Sequence, residues 1–286
     1  MVFASSPEPH KTYGYQVFQA VIDPLSHLMR SQAGQHGPII LMYHSVTPGK
    51  GSPDWPWAVS MQRFRSQLDL LAAEGWATPT LAELVGAPKI WSGRTAVITF
   101  DDGYTDNLSA WDELHKRGMR ATLFMVSGSI GREPAWATDG RPGGRLLNAV
   151  ELRNMHAAGL EIGSHTINHI RLPHADSDQL RVELTESKAA LEAALGSAIT
   201  SFAYPYGASD ERCAQAVQEA GYRSACTTRS GWALRDSDPY QLRRLTVFNT
   251  DTAGSLARKL FFGDNDASWS QVWRYTRGRL AAHIGL

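Results

Sequence analysis

The chain has 286 residues, with 28 basic and 28 acidic side chains and 43% hydrophobic against 20% charged residues. That balance excludes a wholly disordered chain, and a formal net charge of zero removes any general attraction to nucleic acid or to an anionic surface. Two cysteines, Cys213 and Cys226, exclude a disulfide framework while leaving a single bridge open, and no window approaches the ~18 apolar residues of a membrane span.

Residues 1–36 read as a helical extension. Met1 to Lys11, with Glu8 and two prolines, lacks the apolar core of a signal peptide, so the expectation is a cytoplasmic protein, peripheral at most to the inner face of the membrane. Val17, Phe18, Val21, Ile22, Leu25, Leu28 and Met29 recur at helical spacing, and Asp23-Pro24 restarts the helix. Residues 37–250 alternate. Ile39–Tyr43 is a buried strand. Met61, Phe64, Leu68 and Leu71 mark a helix that ends at Gly75; Leu108, Trp111 and Leu114 mark a second, ending at Gly118 before a strand over 121–126. Asn148 and Glu151 form a capping pair for a third helix, which closes on Gly159 before a strand over 160–162. Leu180, Leu184, Leu191 and Leu195 give a long helix to Gly196, then a strand over 199–204. Val217 and Ala220 lead to Gly221, and 222–227 is extended again.

Repeated helices that close on glycine and lead into strands imply βα units and a parallel sheet, open or closed. In either form the chemistry belongs at the C-terminal ends of the strands. His44, Asp101, His165 and Tyr206 all fall there. Residues 251–286 form a C-terminal helical segment. Trp269, Val272, Trp273, Thr276 and Leu280 share one face beside Arg274, Arg277 and Arg279; packing on the domain is expected, with a peripheral membrane contact as the second reading.

Asp101 and Asp102 end the apolar run 96–100. Two adjacent carboxylates at the mouth of a buried strand repel each other and lose water, and a cation removes much of that cost. His165 and His169, four residues apart, complete a set of one carboxylate and two imidazoles with an open position, the donor set of a catalytic zinc. One Asp then remains free as a base. Trp55 and Trp57 lie in a proline-rich loop after the first strand, where they would stack on a sugar or pack the rim. Residues 132–144, with Trp136, form a rim loop, and His174 is assigned to a loop rather than to the ligand set.

Thr99-Phe100-Asp101-Asp102-Gly103-Tyr104, His165-Thr166-Ile167-Asn168-His169 and Tyr204-Pro205-Tyr206-Gly207 resemble the first three motifs of polysaccharide deacetylases, the NodB-homology carbohydrate esterases of family 4. Leu41-Met42-Tyr43-His44-Ser45-Val46 resembles the poly-N-acetylglucosamine deacetylase branch. The resemblance covers about residues 38–250 and implies a distorted (β/α)7 barrel. It also implies one divalent metal, zinc by usual preference, on Asp102, His165 and His169, with Asp101 as general base. The branch resembled also implies His44 as general acid; the backbone N–H of Tyr206, with Pro205, is expected to serve the oxyanion, and Trp55 and Trp57 are the candidate substrate residues. Three positions depart from the pattern. Ala203 stands where an arginine usually orients the base, with Arg243 and Arg244 as candidate substitutes. Residues 236–240 only loosely echo the fourth motif, and the Leu-x-His of the fifth is absent.

The expected activity is metal-dependent N-deacetylation of N-acetylglucosamine-type units in a bacterial exopolysaccharide or its lipid-linked precursor. The alternatives are a related deformylase or cyclic imidase and a non-catalytic sugar-binding module. Retention of Asp101 beside the full ligand set weighs against the last.

Overall fold

The apolar runs form strands buried on both faces, as parallel strands covered by helices must be. In a computed structural model that describes residues 23–283, except 35, 88, 89, 92, 137–139 and 142, with backbone only at 280–283, the chain opens with α1 (Pro24–Gln32) and β1 (Ile39–Tyr43). A small ladder follows, β2 (Ser45–Thr47) with β3 (Ala58–Ser60), then α2 (Met61–Ala73), α3 (Leu81–Gly86), β4 (Ala96–Phe100), α4 (Asn107–Lys116) and β5 (Thr122–Met125). Next come α5 (Ala149–Ala157), β6 (Glu161–Ser164), α6 (Ser177–Leu195), β7 (Ser201–Ala203), α7 (Glu211–Glu219) and β8 (Ser224–Cys226). The chain ends with β9 (Leu245–Thr246), α8 (Ala253–Phe262) and α9 (Trp269–His283). The helix expected over Val17, Phe18, Val21 and Ile22 lies outside the described residues, as does the side chain of Leu280.

Seven strands make one all-parallel sheet in the order β8-β7-β6-β5-β4-β1-β9. It curls into the expected distorted (β/α)7 half-barrel, and the segment 242–246 draws its edges together. Leu242 bridges to Cys226 on β8, while Leu245 and Thr246 pair with Leu41 and Met42 on β1. All five glycines expected to end helices have positive φ, from 66° to 101°, and the Asn148/Glu151 capping box is formed. Cys213 and Cys226 are both buried and free, so the open bridge is not made.

The C-terminal helix is rotated relative to the expected face. Val272 is buried, but Trp269 and Trp273 are 52% and 63% exposed. The cause is Tyr275, which packs edge-on against Phe261 and Phe262 of α8 and turns its own side of α9 inward. Among the described residues no helix is long and apolar enough to cross a membrane.

Candidate active site and metal centre

β4 delivers Asp101 and Asp102 to the C-terminal end of the sheet, where the Asp101 N–H donates to Tyr43 O (2.9 Å). The chain then turns sharply. Asp102 has φ 73° and Gly103 has φ 91°, and a Cβ on Gly103 would lie 2.2 Å from Met125 Sδ, so only glycine fits there. Among the described residues five non-glycine positions have positive φ, and four of them, Asp102, Thr166, His169 and Tyr206, belong to this site. Strain of about 1–3 kcal/mol per residue persists only where the surroundings enforce it, and its concentration here marks the site as functional.

Asp101 is held by Arg244. The guanidinium donates from Nη1 to Oδ1 (2.7 Å) and from Nη2 to Oδ2 (2.8 Å), and Nε–H donates to Thr227 O (2.9 Å). Arg244 has 0% exposure and sits in the segment that bridges the sheet edges. Burial alone would push the Asp101 carboxyl up, but Arg244 foremost, with His165, holds it below the ordinary carboxylate range. Of the two candidates for the missing arginine, Arg244 therefore fills the place. Arg243 instead pairs on the outside with Asp236 (2.8 Å).

Asp102, His165 and His169 offer one ligand atom each within 4.8 Å of one another, the single such group among the described residues. Asp102 Oδ1 lies 3.5 Å from His165 Nε2 and 3.3 Å from His169 Nε2. Ligands ~2.0–2.1 Å from one tetrahedral ion stand about 3.4 Å apart, so this spacing suits a zinc-sized cation. His165 Nδ1–H donates to Ala203 O (2.7 Å), which fixes the tautomer and leaves the Nε2 lone pair towards Asp102. Burial lowers the His165 pKa to about 4, so at neutral pH it is an uncharged donor. Asp102 Oδ1 is buried without a hydrogen-bond partner among the described residues, as expected of an atom reserved for a cation.

The turn that carries His169 is clamped from α6. Glu183, 2% exposed, accepts from the N–H groups of Ile167 (2.8 Å) and Asn168 (3.1 Å) and from Asn168 Nδ2 (2.7 Å). Glu183→Gln sets an amide donor against one of those donors. The expected result is a fall of about 10- to 100-fold in metal affinity, measured by chelator competition. A further loss of roughly 1–3 kcal/mol should appear in chemical denaturation of the metal-free protein.

A cavity of about 650 Å³ brings together His44, Trp55, Trp57, Asp101, Asp102, His165, His169 and Tyr206. Pro205 is not in its lining. It is buried and starts the single turn from which Tyr206 projects at φ 58°. The two hydrogen bonds closing that turn, Gly207 N–H to Tyr204 O and Ala208 N–H to Pro205 O, do not use the Tyr206 N–H. Trp55 is nearly buried, edge-on to His44 (5.9 Å) and Tyr104 (5.7 Å), whereas Trp57 is 39% exposed. Trp136, from the rim loop, stacks on His169 at 4.4 Å and shields the metal turn. His44 is half-buried, its Nδ1 enclosed and unpartnered among the described residues, and loss of water pulls its pKa down although Asp102 and Asp101 oppose this. His174 lies outside the ligand group.

A carboxylate locked by an arginine beside an Asp-His-His cluster able to hold a cation, at the mouth of a curled parallel sheet, is the arrangement of a hydrolytic centre. Residues 90–225 match the family model described as polysaccharide deacetylase. YxkH of Bacillus subtilis (strain 168), assigned to the polysaccharide deacetylases, is 33% identical over 212 residues, covering 73% of this chain and 70% of that protein. The poly-beta-1,6-N-acetyl-D-glucosamine N-deacetylase of Staphylococcus aureus (strain MSSA476) is 25% identical over 203 residues, 67% of this chain and 68% of that one. The structure of IcaB from Ammonifex degensii superposes with TM-score 0.65 at 26% identity, covering 79% of this chain and 97% of that one. The chain belongs to the polysaccharide deacetylase family.

Proposed function

We propose that the chain is a zinc-dependent N-deacetylase acting on N-acetylglucosamine-type units of a bacterial exopolysaccharide or of its lipid-linked precursor. The observation that carries this reading is the buried Asp101–Arg244 pair on the wall that also holds Asp102, His165 and His169. A divalent cation on those three residues would polarise the amide carbonyl and acidify a water. Arg244 takes one lone pair on each Asp101 oxygen, so the others remain to accept the proton of the attacking water. The Tyr206 N–H, left free by its own turn, is the candidate donor to the developing oxyanion. His44, on the cavity wall, would relay to the leaving amine the proton that Asp101 takes from the attacking water. Trp55, Trp57 and Trp136 wall the cavity, and Trp57, the exposed one, supplies a face on which a sugar ring stacks.

The test is acetate release from N-acetylglucosamine oligomers by the zinc-loaded protein. Asp101→Asn should slow release roughly 10²- to 10⁴-fold with zinc content unchanged. Zinc-loaded protein that releases no acetate would move the assignment to formyl or imide substrates. His44→Ala should cripple turnover at unchanged zinc content, and normal activity in that variant would remove His44 from the mechanism.

A further inference from the structure

The active-site cavity does not end at Tyr206. A second groove, about 420 Å³, adjoins it and shares His169, Arg171 and Tyr206 with it, adding Ile170, His174 and Gln179. The Arg171 guanidinium carbon lies 4.2 Å from the centroid of the Tyr206 ring. Stacking fixes the plane of the guanidinium while leaving its edge N–H groups free to bond in that plane. Arg171 makes no ion pair and donates no side-chain hydrogen bond among the described residues, and no carboxylate lines the groove. Of the two carboxylates of the main cavity, Asp101 is matched by Arg244, and Asp102 would be matched by the divalent cation it is placed to hold. Arg171 is therefore a surplus positive charge, aromatic-backed and oriented, where the two cavities meet.

We infer that this groove receives an anionic group, a phosphate or a carboxylate, on the unit next to the N-acetyl sugar being hydrolysed. Arg171 is its paired donor, and His174 and Gln179 offer further hydrogen-bonding groups beside it. The inference rests on the deacetylase reading and narrows its substrate. A glycosyl phosphate or a uronic-acid neighbour fits the groove, whereas a neighbouring unit already carrying a free ammonium group is repelled by Arg171.

The test compares three probes with the zinc-loaded full chain: the neutral disaccharide of N-acetylglucosamine, N-acetylglucosamine linked to glucuronate, and N-acetylglucosamine 1-phosphate. At least one charged probe should be favoured about tenfold in kcat/KM over the neutral one at low salt, carried mainly by KM, and the better of the two identifies the source of the anion. The preference should shrink as salt is added. Arg171→Gln should collapse the ratio of charged to neutral turnover, and Arg171→Lys should restore part of it. Equal kcat/KM on all three probes, or a preference that survives Arg171→Gln, overturns the inference. If none of the probes is hydrolysed, the deacetylase reading fails by itself. Probe binding followed by tryptophan fluorescence then decides the groove: tighter binding of a charged probe, lost in Arg171→Gln, upholds it, and equal binding overturns it.

Discussion

Arg244→Met should destabilise the protein by about 3–5 kcal/mol, the usual cost of leaving one partner of a buried ion pair uncompensated. Arg244 and Asp101 are both almost fully buried, so water cannot replace the lost guanidinium. The same substitution should reduce kcat/KM at neutral pH by roughly 10²- to 10⁴-fold, because burial, no longer opposed, raises the carboxyl and leaves the base protonated. In the wild type the depressed carboxyl contributes stability that is fully present above the ordinary carboxylate range and is lost as pH falls through its lower folded value. In the variant the sign reverses: the raised group favours the folded state in acid and costs stability as pH rises through its new value. Denaturation series at several pH values should therefore show the gap between the two proteins narrowing towards acid. Asp101→Leu combined with Arg244→Met should recover most of the stability and none of the activity. A constant gap across pH, or full activity in Arg244→Met, would falsify the assignment of Arg244 as the partner that keeps the base ionised.

Asp102→Asn should cost more than any change in the surrounding shell. Asn tolerates the left-handed backbone that Asp102 adopts at φ 73°, so the turn survives while the charge disappears. Metal affinity should fall by more than ~100-fold, the upper end of what the loss of an outer hydrogen-bond partner costs. Acetate release should drop to the level of chelator-treated wild type. Added zinc should raise the melting temperature of the wild type, since it binds only the folded chain, and leave that of the variant unchanged. Equal zinc-induced stabilisation of the two proteins would show that Asp102 is not a ligand.

The core of this site was legible because it is local. Asp101 and Asp102 close an apolar run, His165 and His169 follow a short strand, and glycines at 75, 118, 159, 196 and 221 end the helices. What escaped is what the fold assembles over long separations. Arg244 meets Asp101 across 143 positions, and nothing in Leu242-Arg243-Arg244-Leu245 tells which arginine points inward. The edge pairing decides it, by turning Arg244 into the barrel and Arg243 towards Asp236. Glu183 carried a signal that went unread: it lies on the same helical stripe as Leu180 and Leu184, and a carboxylate on a buried stripe needs a partner. Trp136 was placed in a rim loop, but its stacking on His169 depends on how that loop folds back. In the C-terminal helix the spacing of Trp269 and Trp273 points them inward, whereas packing of Tyr275 on α8 sets the orientation.

The segment 242–246 joins two tasks, pairing with the β1 edge and neutralising Asp101. During synthesis every other element of the site emerges from the ribosome before it. Until residue 244 is available, the growing chain carries a bare strand edge and a carboxylate with no counter-charge, so the half-made barrel is sticky. The counter-charge of Asp101 thus arrives with the last strand, and a chain that fails to finish the ring leaves that carboxylate unmatched.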